Sequence, residues 1–368
     1  MHPFSKLFLA SATVALLFFN NVAYGAPVYL ADNVSSPKGG GKPHGASIVE
    51  LQNGDLLATW FSTEDETSRD TNIYGANWNR DTGKWSAPRV IVGAGYAKSI
   101  GNTTLFRDDD GIIWLFFAAV QIGGWSGAMV DYVQSHDDGK TWSDGKRFVG
   151  WPGNLPRNIP IKIGDHEALV PLFIDFWYEV GLTGSYTAKI KYKDGEVLSK
   201  EYASVEGADP IQPTIVKLPD GRILLLARDK GKKLIHRAYS GDNGDSWSKP
   251  EYTSLPNPDA AISAIFVKEV NGVLLVYNNS DKRRNPLSLA VSRDGGKSFR
   301  RVADIAYYPE DIKVTFSYPT LLRTSDGMIH AIWSHRDRAT LKHVRFNVDW
   351  LKQVMESPML GETEISKP

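Results

Sequence analysis

No cysteine occurs in the 368 residues, which removes disulfides, thiolate metal sites and thiol nucleophiles from consideration. An excess of either charge is missing as well. Lys plus Arg and Asp plus Glu number 42 each, so the basic surface that nucleic acid demands is not expected, and nucleic acid is excluded as a partner. The eight His are scattered without a His-x-x-x-His or comparable spacing, and neither a metal nor another cofactor is expected. Long apolar runs are absent after Phe19. The one run present, Leu7 to Phe19 behind Lys6, falls short of the roughly 20 residues a spanning helix needs. Ala23-Tyr24-Gly25 follows it with the small-x-small pattern that signal peptidase accepts. The expectation is a signal peptide over residues 1–25, a mature chain from Ala26, no stable membrane insertion, and a secreted or periplasmic destination.

What is abundant is aromatic. The chain holds 11 Trp, 15 Tyr and 15 Phe, spread through short segments with 33 Gly and 20 Pro, a pattern that predicts an all-β fold. One object recurs six times: a polar or small start, an apolar strand, a turn, then a strongly apolar strand. Examples are "HGASIVELQNGDLLATWF", "IQPTIVKLPDGRILLLAR" and "SYPTLLRTSDGMIHAIWS". The turns are marked by Gly54, Gly111, His166, Gly221, Gly272 and Gly327, spaced by 57, 55, 55, 51 and 55 residues. Glycine at such a turn supplies positive φ.

A second turn follows several of these hairpins: "SHDDGKTW" from Ser135, "SGDNGDSW" from Ser240, "SRDGGKSF" from Ser292, and a shortened "NRDTGKW" from Asn79. Ser and Asp side chains can bond backbone N–H groups inside the turn while the aromatic packs between sheets. A Ca²⁺ loop of the EF-hand kind is excluded, because the Glu at its twelfth position is absent. Two hairpins per repeat make a four-stranded antiparallel sheet, and six such sheets fit a six-bladed β-propeller, spanning residues 26–368 as one domain. The three full turns resemble the Asp box, S-x-D-x-G-x-T-W, of sialidases and their relatives.

In a propeller the first strand of each blade lines the channel, and its first residues ring one mouth. Counting nine back from each marker gives Gly45, Asn102, Arg157, Gln212, Ser263 and Tyr318, a mostly polar set with the form of a ligand site. Gln212 and Arg228 are equidistant from Asp220, so they are expected opposite one another at that mouth. His44 and Arg284 join the same rim, with Arg283 as a solvated neighbour. Trp125 and the stretch Phe173 to Gly181 are candidate stacking walls for sugar rings.

These positions extend the resemblance to the sialidase superfamily. His44 stands where the first of three carboxylate-binding arginines would be, and Gln212 where a glutamate would be. Arg228 and Arg284 match the second and third arginines, and Tyr318 in "SYPTLL" matches the nucleophilic tyrosine. The resemblance implies an acidic residue in the loop after the second strand of blade one. "STEDETSRDTNIYG" offers Glu64, Asp65, Glu66 and Asp70, with Asp70 preferred as general acid. Its implication for activity is an exo-glycosidase acting on a sialic- or uronic-acid sugar of a glycan. Tyr318 would be assisted by His44 or another base, Arg228 and Arg284 would grip the carboxylate, and Arg157 and Asn102 would line the substrate. An amide at Gln212 cannot deprotonate a phenol. Two other readings therefore stand beside hydrolysis: a polysaccharide lyase acting by β-elimination, and a non-catalytic glycan-binding propeller.

Overall fold

The computed structural model describes residues 26–34, 41–63, 68–176, 182–206, 210–229, 231–309 and 312–361. The expected signal peptide, Glu64 to Glu66 and the stretch 177–181 lie outside the described residues. The described chain forms an all-β, six-bladed propeller of four-stranded antiparallel sheets, with strands in two blades built from two short pieces. The innermost strands are Lys42–Glu50, Ser99–Arg107, the broken pair Asn154–Pro156 and Ile161–Gly164, Ile211–Lys217, Ser263–Val267 and Ser317–Arg323. Tyr29–Val34 closes the ring as the outermost strand of blade six, pairing with Thr340–Phe346.

Strand alternation explains how the blades stack. Ile113–Val120 is buried on both faces. Ile113, Leu115, Phe117 and Ala119 face the apolar cluster shared with blade one, while Trp114 and Phe116 face the cluster shared with blade three. Successive side chains of a strand point to opposite faces, so a central strand of a blade must be apolar throughout. Helix Val348–Glu356, capped by the Asn347 side chain accepting from Trp350 N–H, buries Trp350, Leu351, Val354 and Met355 against blades five and six. Among the described residues no helix is long and apolar enough to cross a membrane.

The three Ser-Asp-Gly turns are built alike. In blade four, Ser240 Oγ donates to Asp242 at 2.7 Å and accepts the Gly244 N–H at 2.8 Å, while Ser246 donates its hydroxyl (2.6 Å) and N–H (3.0 Å) to Asp242. Gly296 shows why its position stays glycine. Its φ is +91°, and a Cβ there would meet Leu224 of blade four at 2.5 Å, so the turn is also a blade-to-blade contact. The hairpin markers need one correction, in blade five. His166 takes the left-handed turn position without being glycine, at φ 52°, and in blade five that position is Asn271, φ 45°, rather than Gly272.

Candidate functional site at the channel mouth

A repeated irregularity shapes the mouth. In four inner strands the pairing skips a residue: between His44 and Ser47, Gly101 and Thr104, Ile211 and Thr214, and Ser317 and Thr320. Each skip is a bulge whose first unpaired residue is left-handed: Gly45 (φ 63°), Asn102 (50°), Gln212 (57°) and Tyr318 (56°). These are four of the six positions expected to ring the mouth. Bulges re-aim side chains, and an αL residue other than glycine stores about 1–2 kcal/mol of strain. The bulge also corrects the expected pairing, since the extra residue places Ile211, not Gln212, opposite Arg228.

Blade three breaks its inner strand instead, at Arg157, and sends that side chain across the channel to blade six. Arg157 donates to the Pro319 carbonyl at 2.9 Å and to Thr320 Oγ1 at 3.3 Å, and its guanidinium lies 4.9 Å from the Tyr318 ring centroid. It is 1% exposed, and its Nε has no hydrogen-bond partner. Burial pulls this guanidinium down to about 10, against the opposing pull of Tyr318, and it stays charged at neutral pH. Ser263 does not face a ligand. Its hydroxyl accepts the Leu321 N–H at 3.1 Å and braces blade five against blade six.

Tyr318 is the point of convergence. Gln212 Nε2 donates to its hydroxyl at 3.1 Å, and the His44 ring lies 4.2 Å from its ring. Gln212 is 2% exposed, and its Oε1 accepts nothing. Nδ1 of His44 is 2.9 Å from Ser334 Oγ. Burial above all, then the charges of Arg338, Arg284, Arg157 and Arg228, holds the imidazole well below its usual 6.5. His44 is therefore neutral at physiological pH.

The two predicted anchors meet at a residue the sequence reading missed. Arg284 Nη2 and Arg228 Nη1 donate to the Asp259 carbonyl at 2.8 and 3.4 Å, and Arg228 Nε is 3.2 Å from Asp259 Oδ1 without hydrogen-bond alignment. Asp259 is itself left-handed, φ 56°, in a turn clamped by Asn257, which bonds both Ala260 N–H and Ala260 C=O. The Asn-Pro-Asp sequence was the available signal for that turn. Arg338 was missed too. It ends a run of three left-handed residues, Arg336 to Arg338, in a segment without glycine to announce a reversal. Four guanidiniums, Arg157, Arg228, Arg284 and Arg338, thus bear on His44, and Asp259 meets two of them, Arg228 and Arg284, a surplus that favours an anionic ligand.

Two predicted residues stand apart. Asp70 is on the exposed rim loop, where neighbouring Thr71 Oγ1 lies 3.2 Å from Ser99 Oγ. Asn102 is buried beside Gly45, with its Cα 3.9 Å from where a Cβ of that glycine would sit. Among the described residues neither is bonded to the Tyr318 group. Of the candidate stacking walls, Phe173 is buried in the core between blades. Trp125 is half-exposed and meets Phe61 edge to face at 6.2 Å, and Phe61 in turn meets His44 at 5.4 Å. A cluster unforeseen from sequence, Asp109, Asp165 and His166, brings three potential metal-ligand atoms within 4.8 Å at the opposite end. Asp109 there already accepts from Lys162, Tyr192 and the His166 N–H.

Comparison with known proteins agrees with this architecture. The family model of the BNR repeat-like domain matches residues 54–331. A sialidase of Micromonospora viridifaciens is 23% identical over 348 residues, covering 83% of this chain and 51% of that protein. The chain thus spans about half the length of that relative. Among solved structures, a Dyadobacter fermentans protein of unknown function superposes with a TM-score of 0.69 at 14% identity, over 86% of this chain and 97% of that one. The intramolecular trans-sialidase of Ruminococcus gnavus, solved with oseltamivir carboxylate, gives 0.67 at 16% identity, over 84% and 95%. At such identities the likeness is one of fold. With three quarters of its length matched, the chain belongs to the BNR repeat-like domain family, as a divergent sialidase-like member.

Proposed function

We propose that this protein is an exported exo-glycosidase that removes a terminal acidic sugar, with Tyr318 as its nucleophile. The observation that carries the reading is the buried Arg157 guanidinium beneath the Tyr318 ring. A cation without a carboxylate partner among the described residues is costly to bury, and a phenolate forming above it would relieve that cost. In this scheme the Tyr318 proton passes to solvent water before attack, and Arg157 and the Gln212 amide stabilise the phenolate left behind, so that no glutamate base is needed to take the proton. His44 is not the base, because an imidazolium among four arginines is unfavourable. It fixes the phenol by packing.

Arg228 and Arg284 hold the substrate carboxylate in competition with Asp259. Asp70, on the rim, protonates the leaving oxygen, and Asn102 lines the cavity. The sialidase relative and the trans-sialidase neighbour support a glycan substrate. Incubation with sialyl and uronyl oligosaccharides should release a free acidic monosaccharide, and Tyr318→Phe should stop its release; a panel left intact overturns the reading.

One observation favours β-elimination as a second reading. Gln212 offers a donor and an unfilled acceptor but no base, which suits neutralising a uronate while Tyr318 abstracts its α-proton. Product that absorbs in the ultraviolet as an unsaturated uronate would establish elimination, and product without that absorbance would exclude it.

A further inference from the structure

The proposed chemistry engages the terminal sugar at the mouth, and the face around it carries a second feature that the mechanism leaves unused. On blades two and three, two adjoining clefts open on the same end of the propeller. One, of about 610 Å³, is lined by Trp125, Pro152 and Phe176 among others. The other, of about 550 Å³, is lined by Trp151, Pro152, Phe176, Tyr186 and Tyr202. Pro152 and Phe176 belong to both, so the two form one groove. Each is of a size that takes a small ligand.

The near wall of the groove, Trp125, is tied to the mouth by ring contacts that run through the buried His44 and Phe61. Tyr318 meets His44, His44 meets Phe61, and Phe61 meets Trp125, at 4.2, 5.4 and 6.2 Å between ring centroids. Gly101 permits this approach, since a Cβ there would lie 2.7 Å from the Trp125 ring. At the far end Trp151 is 65% exposed and tilted at 58° to Tyr202, which is 40% exposed, with ring centroids 6.0 Å apart. Tyr186 stands behind them at 5.9 Å from Tyr202, and its hydroxyl is fixed at 2.5 Å from Asn154 Oδ1. Packing gives no reason for a tryptophan to leave two thirds of its surface in water.

We infer that this groove binds the neutral sugar rings that follow the acidic terminus of the same glycan, with Trp125 and the Trp151–Tyr202 pair as stacking platforms. The inference rests on the proposed exo-glycosidase reading for its polarity: acid in the cationic mouth, neutral chain outward. Aromatic faces suit the C–H faces of pyranose rings. The arginines gather at the mouth, whereas the groove has neutral aromatic platforms with Asp175 on the wall of the near cleft and Lys200 Nζ 5.8 Å from the Tyr202 ring centroid, one charge of each sign, which suits a neutral occupant. A peptide partner of similar apolarity is the competing occupant, and its binding in place of sugar would overturn the inference.

The test uses the Tyr318→Phe protein, so that ligand is not consumed. Tryptophan fluorescence and calorimetric titrations are run with N-acetylneuraminic acid and glucuronic acid, with neutral tetrasaccharides of β-1,4-linked glucose, mannose and galactose, and with acid-capped lactose. Trp151→Ala and Arg284→Ala are each added to this background. Trp151 is exposed, so its replacement should leave the melting temperature unchanged. The expected result is that acid-capped or neutral oligosaccharide binding weakens about 10-fold in Trp151→Ala, the loss of one stacking platform, while acidic monosaccharide binding does not change. Arg284→Ala should weaken the acidic monosaccharides and acid-capped lactose and leave the neutral tetrasaccharides unchanged. If no oligosaccharide binds more tightly than the acidic monosaccharides, or if Trp151→Ala leaves oligosaccharide affinity intact, the groove assignment is wrong and the mouth assignment stands. If acidic monosaccharides fail to bind while oligosaccharide binding depends on Trp151, the mouth assignment fails and the groove survives.

Discussion

The two ends of the propeller both hold left-handed residues other than glycine but treat polar groups in opposite ways. At one end, Ser135, Ser240 and Ser292 and their aspartates form the same closed set of bonds, and each turn carries two successive left-handed residues, Asp138-Gly139, Asn243-Gly244 and Gly295-Gly296. The aspartates sit at about 2, held down at Asp137 and Asp242 first by the Thr141 and Ser246 hydroxyls. At Asp294 burial works the other way and the Ser298 bonds prevail. At the mouth, Arg157 Nε, Asn158 Oδ1 and Gln212 Oε1 are buried without hydrogen-bond partners, and the left-handed residues include Asn102, Gln212, Asp259 and Tyr318. One end spends its polar groups on the fold. The other withholds them, and buried polar groups left unsatisfied are the pattern of a site arranged for a ligand.

The widest separation of the two ends should come from Tyr318→Phe. Loss of the nucleophile should lower kcat by about 10³-fold or more, while urea midpoints move little, since one hydroxyl and one donated bond are removed. Retained turnover in this variant would break the assignment of chemistry to the mouth. Arg157→Met comes next and carries the sharper sign. Removing a buried, uncompensated charge should raise stability by about 1–3 kcal/mol, while kcat falls by about 10²-fold as the phenolate loses its cation. A variant that is both less active and less stable would mean that Arg157 serves the fold alone. Stability gained where function is lost is the expected trade at a strained site.

At the other end the sign reverses. Gly296→Ala places a Cβ 2.5 Å from Leu224 at φ +91°, and strain plus overpacking should remove about 3 kcal/mol, with kcat per folded molecule unchanged. Equilibrium unfolding paired with active-site titration measures both. An activity loss exceeding the loss of folded protein would show that the two ends are coupled.

Acid should find a weak point where blade six meets blade one, beside the shortened turn at Asn79. There His330 Nδ1 is 3.0 Å from His343 Nε2, with the rings stacked 5.2 Å apart among Trp78, Trp85 and Arg345. Burial pushes His330 down to about 4, opposed by Asp326 and aided by Arg345, and burial holds His343 well below its usual 6.5, with help from His330 and Arg345. An unfolded imidazole takes its proton near 6.5. The unfolded chain therefore binds more protons between about 6.5 and about 4, and stability is whole above that window and falls through it by about 2–3 kcal/mol. The box aspartates, depressed to about 2, lose their contribution only below about 4. Urea midpoints from pH 7 to 4.5 should fall in the native chain and fall less steeply in His330→Gln, with the buried His343, His44 and His335 supplying the remaining slope.

The same contrast explains what could be read from the sequence. The blades were legible because their signals are local: alternation, turn glycines and the Ser-Asp-Gly-aromatic spacing each act within a dozen residues. Tyr318, Gln212 and Arg228 were placed at one mouth by counting from those turns. The bulge was not countable, since pairing that skips one residue leaves no mark in "IQPTIV", and it moved Ile211 opposite Arg228. Arg157 was ranked as one ring residue among six because nothing local tells that a strand breaks to send a side chain across the channel. Asp259 and Arg338 come from connections whose conformations are set by distant partners, such as Thr315 holding the Asp337 carboxylate at 2.7 Å.

The smallest effect is expected at Asn102, and it bears on whether the bulges themselves are strained. Gly45 already occupies the equivalent place in blade one, with φ 63° against 50° at Asn102. Asn102→Gly keeps the bulge and removes the Cβ that makes it costly. Relief of αL strain, partly offset by the greater freedom of glycine in the unfolded chain, should leave a net gain of about 0.5 kcal/mol. Should Asn102 line the bound sugar, KM should rise in the same variant while kcat holds. A loss of stability instead would mean that the asparagine side chain bonds locally to hold the left-handed turn, and the mouth would then be strained at Gln212, Asp259 and Tyr318 but not at Asn102.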